Sequence, residues 1–217
     1  MEHDRKNLLK GYNLLLYFAG SMIMSEPTDE CVIDFWTNGT LRRLPVSSSN
    51  PRFLKAASIL RDSCSEMEKC RQMLSEDYIT LFAENGSSFA PARASIYLAG
   101  RNNGLTIDSE IAEFYSSYGW QPGKPGKPAG HLGIELLFIT KLVENYILLD
   151  DDPCCCEMKK EICRFIDNYI LSWIPLWNDD IQEHAHTQCF KGISTLIYAC
   201  LEDIYGILSN GEVRYSN

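Results

Sequence analysis

The sequence predicts an all-α fold, and three observations carry that expectation. Apolar residues recur at helical spacing in nearly every periodic segment. No run alternates in the way a half-buried strand does, and no internal repeat is present. With 45% apolar and 23% charged residues, the 217-residue chain has an ordinary globular composition and enough length to bury a core. We expect a single helical domain of about nine to ten helices. Its N-terminal lobe spans about 1–118, a Gly/Pro-rich hinge 119–130 and a C-terminal lobe 131–210.

The first helix is amphipathic. Leu8, Tyr12, Leu15, Ala19 and Met22 fall on one stripe. Basic Arg5, Lys6 and Lys10 ahead of Gly11 to Met24 imitate a secretory signal, but Glu2, Asp4, Tyr12 and Asn13 spoil the pattern. Thr28 to Thr37 reads as a short helix ended by Asn38-Gly39, with a hairpin about that dipeptide as the rival. Val46 to Pro51 is a serine-rich loop. Phe53 to Leu74 reads as one long helix with Phe53, Ala56, Ala57, Leu60, Cys64, Met67 and Met73 toward the core. Asp77 to Ala83 forms another, closed by Asn85-Gly86, and Pro91 opens a turn or helix running to Gly100.

Asp108 is the expected N-cap of a helix ending near Tyr118, because its carboxylate can accept free first-turn amides. His131 to Leu149 is apolar almost all round and should lie buried. Asp152 caps the next helix, with Pro153 in its first position. Pro175 breaks a helix after Trp173, and both Trp173 and Trp177 read as core. The last helix runs near Gln188 to Leu208.

A formal charge of −9 argues against general nucleic-acid binding, which relies on clustered Lys and Arg. No apolar run is long enough to span a membrane. Nine cysteines, three of them adjacent at Cys154, Cys155 and Cys156, give an odd count without a framework and suit reduced thiols in a cytosol. Cys154 to Cys156 with Cys163 lacks metal-ligand spacing. In Glu183-His184-Ala185-His186 the two imidazoles would point about 200° apart on a helix. No metal site is expected. No Ser-His-Asp or Cys-His order is recognisable, so no catalytic residue is assigned.

The most informative stretch runs from Gly119 to Phe138, G-W-Q-P-G-K-P-G-K-P-A-G-H-L-G-I-E-L-L-F. Its Gly and Pro residues cannot continue a helix, and an apolar helix follows at once. His131 and Glu135, four apart, fall on one face of that helix's first turn. Lys124 and Lys127 sit in Gly-Lys pairs, but a phosphate-binding loop is not expected. The G-x-x-x-x-G-K-[ST] pattern and a preceding strand are missing, and the prolines remove amide donors.

This stretch resembles the TorD/DmsD/NarJ family of molybdoenzyme-specific chaperones. Pro128, His131 and Glu135-Leu136-Leu137-Phe138 match the family's Pro-Asp-His and Glu-Leu-x-Phe pieces, with Gly130 where the Asp stands. Tyr78 to Phe82, Pro91 to Leu98, Phe114 to Gly119 and Phe165 to Trp177 resemble further family segments in the same order. The likeness covers about residues 76 to 205.

What the resemblance implies is a cytoplasmic, non-enzymatic chaperone. It would bind the twin-arginine signal peptide or apo form of a molybdopterin-dependent oxidoreductase and assist cofactor insertion before export. Its peptide-binding residues would be His131, Glu135, Trp120, Tyr118, Tyr97 and Pro128. It would carry no cofactor of its own, although by family analogy a weak guanine-nucleotide site would fall to Lys124 and Lys127. A monomer or homodimer is expected. The alternatives are a small helical metal- or nucleotide-dependent hydrolase and a helical adaptor of an anaerobic respiratory complex.

Overall fold

The computed structural model describes residues 2–28, 30, 43–63, 67–83, 88–98, 104–123 and 126–209. Among them are nine α-helices, one π-helical segment and no strand, as the periodicity predicts.

Two antiparallel helices form one wall. α1 (Glu2–Met24) buries Tyr12, Leu15, Ala19 and Met22 of its expected stripe. It runs against α6 (Leu132–Leu148), whose buried residues occupy nearly every face. The pairing is antiparallel because Lys6 Nζ donates to Leu149 O at 2.8 Å while, further along α1, Asn13 Nδ2 donates to Thr140 O at 3.0 Å. At the far end the backbones close in. A Cβ on Gly133 would lie 3.1 Å from Gly20 O and 2.2 Å from Met24 Cγ. A side chain there would push Met24 aside and press on the α1 backbone, so space favours glycine.

α2 (Pro51–Arg61) starts at Asn50, whose side chain accepts from Arg52 N, with Pro51 at the start of the helix. The expected single helix over 53–74 is two. α2 ends at Arg61 and α3 (Met67–Phe82) begins anew. The Ser63 hydroxyl donates to Leu60 O at 2.9 Å, a side-chain bond to a carbonyl at the end of α2. The register restarts in α3, so Met73 is exposed and Leu74 takes the core position. The expected helix from Asp77 is the second half of α3. The Thr28–Thr37 segment with its Asn38-Gly39 turn lies almost wholly outside the described residues, as does Asn85-Gly86.

α4 (Ala94–Tyr97) is a single turn, and α5 (Gly104–Ser117) follows. Asp108 is not its N-cap but sits one turn inside, which frees its carboxylate for another partner. α7 (Asp152–Phe165) is capped by Asp151, which accepts from Cys154 N at 3.1 Å, one residue earlier than expected. The chain continues through a π-helical segment (Ile166–Leu171) to α8 (Ile174–His184), which Pro175 opens.

α9 (Gln188–Leu208) is the central helix, packed on α1, α2 and α8. Its N-terminus is held by Asp77, whose carboxylate accepts from His186 N at 3.0 Å and Thr187 N at 2.6 Å. Trp173 and Trp177 are fully buried, as expected. Six described cysteines carry free thiols, among them Cys154, Cys155 and Cys156. Cys70 is disulfide-bonded, which corrects the all-reduced reading; pairing depends on distance in space, which spacing in sequence does not report. No helix among the described residues is long and apolar enough to cross a membrane.

Candidate functional site

Two turns cross where the sequence placed its candidate site. The segment 92–94 and the loop end 130–132 form one isolated antiparallel bridge, Arg93 to His131. Ala94 N donates to Gly130 O and Leu132 N to Ala92 O, both at 2.9 Å. The first turn is anchored to α8, because Trp177 Nε1 donates to Ala90 O at 3.1 Å. α5 anchors the second: Tyr115 Oη donates to Ala129 O at 2.9 Å, and Gly130 N donates to Asp108 Oδ1 at 2.8 Å.

His131 is the N-cap of α6. Its backbone is extended and Nδ1 accepts from Gly133 N at 3.2 Å, which leaves the ring proton of the neutral tautomer on Nε2. The ring is buried and lines a small cavity of about 90 Å³ beside Arg93 and Phe82. Pro128 is half-buried, and its carbonyl accepts from His131 N at 3.0 Å.

Glu135 sits one turn on, and it is fully buried with both carboxyl oxygens unpartnered. Burial, followed by the nearby Asp108 carboxylate, pushes its pKa well above the usual carboxylate range. The helix N-terminus favours the ionised form by about 2 kcal/mol at most. Desolvating an unpaired carboxylate costs several. Desolvation outweighs the helix terminus, so the balance at this carboxyl favours the protonated form. His131 and Glu135 are thus both buried at the start of α6.

The aromatic candidates separate into two places. Tyr118 and Trp120 join Phe114, Tyr115, Phe138 and Phe165 in one ring cluster, with Trp120 5.2 Å from Phe138. The Tyr118 hydroxyl bonds Glu161 at 3.2 Å; burial, then that carboxylate, pushes its pKa up to about 12. Tyr97 lies elsewhere, stacked on Trp173 at 5.3 Å and bonded to Asp180 at 2.7 Å. Lys127 is half-buried, and Lys124 lies outside the described residues. His184 stacks on Phe89, and His186 bonds Asp77. No group of three or more His, Cys, Asp or Glu among the described residues could hold a metal ion.

An open groove lies on another face. Between α1 and α6 runs a groove of about 450 Å³ whose walls are Leu14 and Tyr17 on one side and Ile147 and Leu148 on the other. Leu14, Tyr17 and Leu148 are 53%, 58% and 77% exposed. Its floor is Asn13 and Thr140, and Asn13 Oδ1 is buried without a partner. Lys10 and Glu144 stand in its lining. Sequence reasoning missed this groove, although Leu14 and Tyr17, two large apolar side chains off the buried stripe of α1, were its legible sign.

These features define the class: an all-helical protein with a closed polar crossing and an open apolar groove. The family described as Nitrate reductase delta subunit matches residues 50–179, more than half of the chain. The chain belongs to that family, whose members are maturation chaperones of molybdoenzymes rather than catalysts. No curated protein matches the chain.

Proposed function

We propose that this chaperone holds the N-terminal signal segment of a molybdopterin oxidoreductase in the groove between α1 and α6, in the cytoplasm and before twin-arginine export. The groove is the observation that carries this reading. It is apolar and open, and it lies between two helices that the fold clamps together at Gly20 and Gly133. A signal segment has an apolar middle behind a cationic head. Burying one leucine-sized side chain stabilises binding by about 1.5–3 kcal/mol. The Glu144 carboxylate, held loosely by Lys141 at 3.9 Å, offers a partner to an incoming guanidinium.

Glu135 is not a direct contact in this reading, since it has no exposed surface. With His131 it shapes the start of α6, which carries one wall of the groove. The loop 119–130 remains the proposed hinge.

Titration calorimetry of the intact protein against a twin-arginine signal peptide tests the proposal, with a di-lysine peptide as control. Micromolar binding that weakens at least tenfold with Tyr17→Ser or Leu148→Ser, about 1.4 kcal/mol, supports it. Binding that ignores both substitutions moves the client elsewhere. No heat with any such peptide, in protein that keeps its helicity, removes the signal-segment reading.

A further inference from the structure

We infer that Asp108, on α5, serves as the carboxylate of the loop that launches α6, standing in the space that a side chain at position 130 would fill. Gly130 is buried, and its φ is not in the left-handed region, so backbone conformation does not demand glycine there. Space does. A Cβ built on it would meet Asp108 Oδ1 at 2.8 Å, Ala94 Cβ at 3.3 Å and Ile111 Cδ1 at 3.3 Å. The nearest of these atoms is a carboxylate oxygen that already accepts from Gly130 N at 2.8 Å. Its other oxygen faces Arg93 Nη2 at 3.9 Å. The acidic group at this loop end therefore comes from a helix position 22 residues earlier in the chain.

The geometry makes the two positions compete for one space, since a Cβ at 130 must displace the hydrogen-bonded end of the Asp108 side chain. A carboxylate at both 108 and 130 would put like charges in one small volume, above an already buried Glu135. A carboxylate at neither leaves Gly130 N without its acceptor and Arg93 without its counter-charge. Asp108 is thus a positioning residue. Through Gly130 it fixes the loop end, through the loop end the bridge to Ala92 and Ala94, and through His131 the first turn of α6.

A transposition of the carboxylate tests this on the protein alone, independently of any client. The variants are Asp108→Ala, Asp108→Asn, Gly130→Asp and the double Asp108→Ala/Gly130→Asp. Alanine is used because it adds no helix-propensity cost within α5. Each single change should lower the melting temperature by several degrees, on the order of 2–6 °C for a chain of this size. In Asp108→Ala the amides of Gly130 and Ala94 should exchange faster while those of α9 stay protected, which a general loss of stability would not produce. The double variant should recover at least half of the summed loss.

Three results would overturn the inference. One is a Gly130→Asp protein that melts like the original, which would mean that the space is not filled. Another is a double variant whose loss equals the sum of the singles, because then the positions are not coupled. The last is an Asp108→Asn protein that is unchanged in both melting and exchange, since a neutral amide would then do the work of the carboxylate.

Discussion

The crossing of residues 92–94 with 130–132 and the groove between α1 and α6 sit at different depths of one molecule. The first is closed: its polar groups are spent on one another, or, as with the Glu135 carboxyl, buried with no partner at all. The second is open, apolar and floored by a single unpartnered acceptor. Chemistry-bearing residues therefore mark where the chain builds itself, and the walls of the open groove are made of leucines, an isoleucine and a tyrosine. Both regions share α6, so the buried crossing sets the geometry of one groove wall.

The closed region depends most on Phe138, which joins the ring cluster under the loop to α6. Phe138→Ala should cost about 3–5 kcal/mol in urea unfolding, because the rings around it cannot all collapse into the void. A loss under about 1 kcal/mol would show that the closed region is loosely packed after all. Gly133→Ala comes next, at about 1–3 kcal/mol, since the backbones of α1 and α6 must part to admit a methyl group 3.1 Å from Gly20 O. It also widens the groove, so peptide binding should weaken with it. Unchanged stability would mean that the two helices slide freely.

Much of this fold was legible in the sequence and the open site was not, for a physical reason. Periodicity reports which side chains face inward, and it correctly gave α1, α6 and α9 and the burial of Trp173 and Trp177. It does not report where a helix pauses. Phe53 to Leu74 kept a helical pattern through a break that a serine hydroxyl helps to close. Asp108 looked like a cap because a carboxylate near a helix start usually is one; its true partner, Gly130 N, is distant in sequence. The positions of His131 and Glu135 at the start of α6 followed from their spacing, but their burial depends on what the rest of the chain lays over them. The groove left only a negative mark, two apolar residues on the wrong side of a stripe.

Glu135 sharpens the contrast through pH. Its folded pKa is raised above the ordinary 4.5, by burial first and Asp108 second. The folded protein thus holds a proton that the unfolded chain gives up. Its contribution is least costly below about pH 4.5, and stability falls as pH rises from there toward the folded pKa. Glu135→Gln cannot titrate, so its melting temperature relative to the original should climb between pH 5 and pH 8. A difference that stays flat, or shrinks, would mean that the carboxylate is ionised in the folded state and has found a partner.

The smallest effect on stability belongs to the groove. Tyr17 and Leu148 are mostly exposed, so Tyr17→Ser or Leu148→Ser should shift unfolding by no more than about 0.5 kcal/mol in either direction. Solubility should improve, because the contiguous apolar surface shrinks. The value of this pair lies in its asymmetry with Phe138. A substitution that leaves the melt unchanged while reducing client binding separates recognition from folding, whereas a loss of binding that tracks the melt cannot. If the serine variants instead unfold several degrees early, the groove walls are structural, and the open face of this molecule is core that its described helices only partly cover.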